Sequence, residues 1–314
     1  ISMAFFDGRG GPPARGGGNT HEFYASMGDT IQNDDIQLTI QGQTISSNFG
    51  TLDSSQFNLE QLLSSGISNK ILNPGKNNLS PEDRATMQEM ADYSYQVYQD
   101  FKEHDMFIPY LERMSTLPYY AKTNVGSRPS KRGNSSSLKF EDLRAIPFVG
   151  SWSQLKQNVP GFYGVGTAIN RFVKDGKLAD VKQLYKNSRF FRTLLFNSMM
   201  SLTKSFFQLT AYMKEDKEFG AFWELIFNEY TLTKELLLKV SDFKSLMENE
   251  PAGKASIKAR DEIVQPLLTI QQFALMELQE LKSFSNSDPK KILILEAMIT
   301  RSLFGNINAS RNSA

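Results

Sequence analysis

Apolar residues recur at helical spacing through most of the second half of the chain. From about residue 168 onward they repeat every three or four positions, a pattern typical of amphipathic helices. The predicted helices span residues 190–212, 219–240, 256–284 and 289–305. Pro266 lies inside the third helix and is expected to kink it. Asp288, directly before Pro289, is a typical start for the fourth.

The first half of the chain mixes strand-like and helix-like segments. Ser80 is a predicted helix N-cap, with Pro81 at the first helical position and Asp83 completing a capping box. That helix is expected to reach about His104, and a shorter one covers residues 109–114. Short apolar or alternating runs predict β-strands at residues 3–6, 36–40, 44–49 and 143–148, the last closed by its proline.

Strands separated by long helical stretches favour parallel pairing, as in part of a β/α barrel. Residues 123–137 are rich in Gly, Ser, Lys and Arg, which indicates a loop. We therefore expect a fold that is mainly α with parallel strands. Residues 1–160 would supply strands and loops, and residues 161–314 a helical region.

Composition narrows the classes of function. The 314 residues carry a net charge of +1, which gives no general attraction to nucleic acid or to an anionic membrane. The absence of cysteine excludes disulfides and thiolate chemistry. No apolar run approaches the ~20 residues of a membrane span. The lack of cysteine fits a cytoplasmic protein, which is the location we expect. Residues 1–6 are typical of a strand entered partway, which predicts that the chain is a piece of a longer protein.

The densest motif is glycine-rich and carries two arginines. Six of the chain's 21 glycines fall in residues 8–18, together with Arg9 and Arg15. Glycine lets backbone N–H groups approach a ligand closely, and arginine binds phosphate or carboxylate through paired hydrogen bonds. The segment therefore predicts an anion-binding loop. An Arg-Gly tract that binds RNA loosely is the alternative, but such tracts are longer and repetitive.

Two further motifs carry cations. Residues 126–132 hold two serines and three cations, including Arg128, and fit either a second anion clamp or a solvated basic linker. Arg144 lies inside an apolar run, where a buried cation needs an anionic partner. That partner is either a substrate or a nearby acid such as Glu141 or Asp142.

In this order, residues 6–18, 126–132 and 143–148 resemble three motifs of the phosphoenolpyruvate carboxylase family. The resemblance implies the C-terminal part of a (β/α)8 barrel with extra helices. It also implies a carboxy-lyase that adds bicarbonate to phosphoenolpyruvate to give oxaloacetate and phosphate. In this family the reaction is anaplerotic carbon fixation, which feeds the tricarboxylic acid cycle.

The resemblance also implies roles for particular residues. Arg15 matches the family's catalytic arginine, and Arg9 and Arg144 match residues that bind the phosphate of the substrate, with Arg128 as support in the same basic site. A separate allosteric pocket for aspartate or malate has counterparts in Lys204, Arg260 and Asn312. Recruitment of Arg15 to that pocket would withdraw the loop from the active site.

The family further implies Mg²⁺ or Mn²⁺ as cofactor and a homotetramer as assembly. Its metal ligands and essential histidine are expected upstream of residue 1, so we expect no metal ligand within these residues and no catalysis by the chain alone. Asp7 and the pair Pro12 and Pro13 depart from the family's loop and predict a stiffer, more acidic segment. The alternative is a non-catalytic helical module that binds aspartate or malate.

Overall fold

The computed structural model describes residues 20–28, 43–72, 75–122, 139–283 and 288–310, and these residues are mostly helical. No β-strand occurs among them. The α-helices, in chain order, are α1 Thr20–Ala25, α2 Gln43–Phe49, α3 Leu52–Ile67, α4 Pro81–Glu103, α5 Phe107–Met114, α6 Ala145–Gln154, α7 Val165–Lys174, α8 Leu178–Asn187, α9 Arg189–Thr203, α10 Gly220–Ser241, α11 Pro251–Ser283 and α12 Pro289–Ser310.

Several predicted helices are confirmed. Ser80 Oγ accepts a hydrogen bond from the Asp83 backbone N–H at 3.0 Å, as an N-cap does, and α4 then runs to Glu103. Helices α5, α10, α11 and α12 occupy the predicted segments. Pro266 lies within α11. Asp288 Oδ1 accepts from the Lys290 N–H at 2.9 Å at the start of α12.

Two predicted strands are wrong. Residues 44–49 belong to α2, because their two large apolar residues, Ile45 and Phe49, stand four positions apart and so share one face of a helix. Residues 143–148 lead into α6. Pro147 is the third residue of that helix, where a missing N–H costs nothing, so the proline begins a helix instead of closing a strand. The predicted strands at 3–6 and 36–40 lie outside the described residues.

The predicted helix at 190–212 is shorter than expected. Helix α9 ends at Thr203, and a 3₁₀-helix follows at Phe207–Glu215. Between them, the Phe206 N–H donates to the Lys156 carbonyl at 2.7 Å. This tie to the loop after α6 replaces the helical hydrogen bond that Phe206 would otherwise make.

Contacts divide the chain into two compact units, each built from three segments. Unit 1 comprises Ile1–Tyr98, Gly161–Leu202 and Glu229–Asn249, and unit 2 comprises Gln99–Pro160, Thr203–Asn228 and Glu250–Ala314. The expected division at residue 160, with barrel strands and the active-site loop before it and a helical region with the inhibitor-site residues after it, stays a prediction.

Unit 1 is organised around a buried carboxylate. Glu229 accepts hydrogen bonds from the N–H groups of Gly164 and Thr167 at 3.0 and 3.1 Å, at the beginning of α7. Thr233 adds a hydroxyl bond to the same carboxylate at 3.2 Å. A negative charge stabilises a helix N-terminus, whose N–H groups lack intrahelical partners. Glu229 therefore joins α10 to α7.

Unit 2 contains two apolar clusters. The first lies between α11 and α12 and includes Leu275, Ile299 and Leu303, all buried. The second is aromatic, with Trp152 of α6 fully buried against Phe107 and Tyr110 of α5. These clusters fix α6 and α11, the two helices that carry the candidate site. In the described part of the chain, no helix is long and apolar enough to cross a membrane.

Candidate functional site

A cluster of cations lies in unit 2, where the chain segments after α6 and α9 meet α11. Lys204 directly follows α9, and Arg260 lies on α11. The structure brings these two predicted residues near enough for the charge of Arg260 to lower the pKa of Lys204. Lys156, two residues beyond α6, also acts on Lys204 in this way. The three cations therefore share one site.

The loop after α6 is shaped by two residues with left-handed backbone conformation. Lys156 has φ of 55° and Asn158 has φ of 45°, values that are uncommon outside glycine. Ser205 Oγ donates to the Gln157 carbonyl at 3.0 Å, next to the bond from Phe206 to Lys156 described above. These bonds hold the segment that carries Lys204 against the loop that carries Lys156.

Lys156 is buried and paired. Its Nζ lies 2.7 Å from Oδ1 of Asp261, and only 7% of its side chain is exposed. Asp261 is 30% exposed, so one partner of the pair is reachable by water. The neighbouring residue Arg260 is exposed. The arrangement places the carboxylate of Asp261 among these cations.

The ammonium group of Lys204 is destabilised by its surroundings. Burial, and to a smaller extent the charges of Arg260 and Lys156, lower its pKa from 10.5 to about 8, while Asp261 acts in the opposite direction. Burial disfavours a charge that has lost its water, and like charges repel. An anion bound here would reverse both effects. Mutually repelling cations of this kind favour a nearby negative charge.

Arg144 occupies a different place in unit 2, at the N-cap of α6. Its Nε is buried and has no hydrogen-bond partner. Within the described stretch that begins at residue 139, neither Glu141 nor Asp142 forms an ion pair with it; Asp142 Oδ2 instead accepts from the Lys139 N–H at 3.2 Å. A buried donor without a partner costs about 1–3 kcal/mol. An anion at the start of α6 would satisfy this donor and would face a helix N-terminus.

The remaining predicted site residues lie outside the described residues. They are Arg9, Arg15, Arg128 and Asn312, and with them Asp7, Pro12 and Pro13 of the glycine-rich segment. Their roles stay predictions. Among the residues that the structure describes, no group of three or more His, Asp or Glu side chains could hold a metal ion.

Two residues of the cation cluster, Lys156 and Asp261, were absent from the sequence prediction. Lys156 had a signal, because it is the sole charged residue between positions 145 and 170. A single lysine in so long an uncharged stretch is either exposed at a loop or held by a buried partner. Asp261 had no such signal, since it stands in a charged run between Arg260 and Glu262.

Fold and site together define a helical protein that holds a cluster of cations and a buried arginine nitrogen without a hydrogen-bond partner. A model of the phosphoenolpyruvate carboxylase family matches residues 1–309. The chain is 32% identical over 283 residues to a phosphoenolpyruvate carboxylase of Corynebacterium efficiens, an alignment that covers 86% of this chain and 30% of that protein. The chain therefore belongs to the phosphoenolpyruvate carboxylase family. It spans about 30% of the length of this curated relative.

Proposed function

We propose that the protein to which this chain contributes is a phosphoenolpyruvate carboxylase, which forms oxaloacetate and phosphate from phosphoenolpyruvate and bicarbonate. The observation that carries the proposal, beside the family match, is the buried and unpartnered Nε of Arg144 at the start of α6. A guanidinium in that position suits the phosphate group of the substrate.

In the proposed reaction, an oxygen of bicarbonate attacks the phosphorus atom, and the bond from phosphorus to the enol oxygen breaks. Carboxyphosphate and the enolate of pyruvate result. Carboxyphosphate then releases carbon dioxide and phosphate, and the enolate carbon captures the carbon dioxide. Apart from carbon dioxide, these species are anions, so fixed cations stabilise them. We assign Arg144, Arg9 and Arg128 to the substrate phosphate and Arg15 to the carboxyphosphate.

A divalent Mg²⁺ or Mn²⁺, when bound, would offset part of the same negative charge. The described residues contain no group suited to hold it, so no step is assigned to it here. We propose that its ligands come from the part of the protein that precedes this chain. The same family relationship supports a (β/α)8 barrel, a cytoplasmic location and a homotetramer as further proposals.

We also propose that the cation cluster is an allosteric site for aspartate or malate. Lys204 and Arg260 would bind the two carboxylates together with Asn312. The lowered pKa of Lys204 supports this assignment, because a bound dicarboxylate would counter the repulsion that Arg260 and Lys156 exert on its ammonium group. If Arg15 joins the bound inhibitor, binding favours the state in which the glycine-rich loop is away from the substrate.

The test uses the full-length protein. Oxaloacetate and phosphate should form in equal amounts, only when bicarbonate is present, and Arg15→Ala should abolish both. The chain of 314 residues alone should form neither. Phosphate release that does not depend on bicarbonate would contradict the proposed reaction.

The second candidate is a helical module that binds aspartate or malate without chemistry. It is favoured by one observation, namely that Lys156, Lys204, Arg260 and Asp261 all belong to unit 2. Calorimetry with malate separates the candidates. Binding by a full-length protein that forms no oxaloacetate would favour the module, whereas binding that inhibits oxaloacetate formation would favour the enzyme.

A further inference from the structure

Unit 1 contains a cleft that the proposed reaction and its inhibitor site do not use. Its volume is about 310 Å³. Three cations line it: Lys76, Arg189 and Arg192. The rest of the lining is polar and uncharged, and consists of Ser68, Asn69, Asn77 and Asn187. Of the described residues, no carboxylate contributes to the lining.

Each cation reaches the cleft from a firmly held piece of backbone. Lys76 lies in the turn that the hydrogen bond from Asn78 N–H to the Gly75 carbonyl closes at 3.0 Å. Arg189 is the first residue of α9, whose N-terminus Ser188 caps by accepting from the Phe191 N–H at 3.0 Å. Arg192 lies one turn further along α9. The positive end of α9 therefore adds to the charge of its two arginines.

The guanidinium groups are fixed but not fully used. Arg192 Nη1 donates to the carbonyls of Tyr185 and Lys186, at 2.9 and 2.6 Å, in the last turn of α8. Arg189 Nη2 donates to Glu22 at 2.8 Å. These bonds occupy one nitrogen of each group and hold the planar fork in place. No bond between described residues occupies the other nitrogens, which can serve as donors for a ligand.

The charges near the cleft leave a positive excess. Lys76 forms no ion pair with any residue that the structure describes. Glu22 offsets Arg189, and Asp83 lies behind Asn187, whose Nδ2 donates to it at 2.9 Å. Among the residues that the structure describes, no carboxylate pairs with Lys76 or Arg192, and both face the cleft. This positive charge is local to the cleft, because the chain as a whole has a net charge of only +1.

The amides of the cleft are organised as well. Asn69, which is buried, donates through Nδ2 to the Tyr24 carbonyl at 2.9 Å. Asn77 Nδ2 is placed by three acceptors, the carbonyls of Ala25 and Met27 and Oδ1 of Asn69, at 2.9 to 3.2 Å. Fixed amides beside cations are suited to a ligand that carries hydroxyl groups as well as negative charge.

We propose that this cleft binds the phosphate group of a small phosphorylated metabolite. Lys76 and the free nitrogens of Arg189 and Arg192 bind the phosphate oxygens, and Asn69 and Asn77 bound the space for the rest of the ligand. The volume lies at the lower end of the roughly 300–1,000 Å³ of small-molecule sites, so it admits more than a bare phosphate ion. The site is separate from Arg144 and from the Lys204 cluster, which both belong to unit 2.

Hydrogen–deuterium exchange of the full-length protein tests this site by location. The probes are inorganic phosphate and glycerol 3-phosphate, with glycerol and sodium chloride as controls for the body of the ligand and for ionic strength. We expect slower exchange in peptides covering residues 68–78 and 187–192 with either phosphate probe. Stronger protection by glycerol 3-phosphate indicates a metabolite, and equal protection indicates that the phosphate group alone is recognised; both support the site.

Two matched variants complete the test. Lys76→Glu removes the unpaired cation at an exposed position and should raise the probe concentration for half-maximal protection at least about tenfold. Lys186→Ala removes an exposed cation of α8 that does not line the cleft and should leave it unchanged. Protection that is absent, or equal in both variants, overturns the proposal. Exchange is measured in the peptides of the cleft, so the result does not depend on whether the protein makes oxaloacetate.

Discussion

Lys156 and Asp261 form an ion pair of 2.7 Å beside Lys204, and the lysine of this pair is almost completely buried. The pair joins the loop after α6 to α11. It also sets the charge at the candidate inhibitor site, because Asp261 is the carboxylate that raises the pKa of Lys204 against the effect of two cations.

Removing the carboxylate of this pair should destabilise the protein. Asp261→Asn leaves the ammonium of Lys156 buried without a counter-charge, and we expect a loss of about 2 kcal/mol, less than for a fully buried pair because Asp261 is partly exposed. The same change should lower the pKa of Lys204 further. Chemical denaturation measures the stability. Glu262→Gln is the matched control, since Glu262 is exposed and its contact with Lys258 is long, at 4.0 Å.

Binding of malate should weaken as the pH rises through about 8. The folded-state pKa of Lys204 is about 8 against 10.5 for a free lysine, so the site loses a cation well before an exposed lysine would. Below pH 8 the affinity should be flat, and above it the affinity should fall. Calorimetry of the full-length protein across pH 7–9.5 measures this. Lys204→Arg, which keeps its charge over this range, should remove the decline.

The lowered pKa of Lys204 should also make the stability of the protein depend on pH. A lysine with a lowered folded-state pKa binds fewer protons when folded than when unfolded between about pH 8 and 10.5. Below pH 8, Lys204 therefore lowers the stability of the folded protein. This penalty shrinks as the pH rises from about 8 to 10.5, so the free energy of unfolding increases over that range. The variant Lys204→Met should lack this increase. A stability that falls for the parent protein relative to the variant would contradict the assignment.

Glu229 should be required for the stability of unit 1. Its carboxylate accepts from two N–H groups at the start of α7 and from two threonine hydroxyls. Glu229→Gln removes the charge and turns one acceptor into a donor, and we expect a loss of about 2 kcal/mol. Thermal denaturation measures it. Glu224→Gln is a control on the same helix, where the side chain is half exposed and pairs with Lys214 at 3.3 Å.

A glycine permits the close approach of α7 and α10. A Cβ at Gly166 would lie 2.6 Å from the backbone nitrogen of Thr233, closer than real Cβ contacts. Gly166→Ala should therefore destabilise by about 1–3 kcal/mol, since packed backbone can give way only at a cost. Gly305→Ala in α12 is the control. Its Cβ would meet only Leu267 at 3.4 Å, so the higher helix propensity of alanine should leave stability equal or higher.

Local signals predicted the helical part of the fold well. The N-cap at Ser80 and the start of α12 at Asp288 are fixed by hydrogen bonds within three residues, which a sequence displays directly. The predicted strand at 44–49 is wrong because six residues are too few to separate alternation from helical spacing. Ile45 and Phe49 fit one face of a helix equally well. The strand at 143–148 is wrong because a proline can either end a strand or stand in the first turn of a helix. The sequence around Pro147 does not distinguish the two.

The candidate sites also differ in whether the local sequence indicates them. The position of Arg144 in an apolar run signalled a cation that needs a partner, and its Nε is buried without one, while its role in substrate binding stays a prediction. The meeting of Lys156 with Lys204 could not, since it depends on the left-handed loop at 156–158 and on bonds between residues some fifty positions apart. The cleft of unit 1 has the same origin, with Lys76 and Arg189 brought together by tertiary packing alone.

Arg144 provides the most direct test of the proposed function. Steady-state kinetics of the full-length protein with phosphoenolpyruvate and bicarbonate should be compared for Arg144→Ala, Arg144→Lys and the exposed control Arg301→Ala. The account predicts that kcat/KM for phosphoenolpyruvate falls at least about tenfold in Arg144→Ala, is partly restored by lysine and is unchanged in the control. An Arg144→Ala protein that folds normally and keeps the kcat/KM of the parent would contradict it.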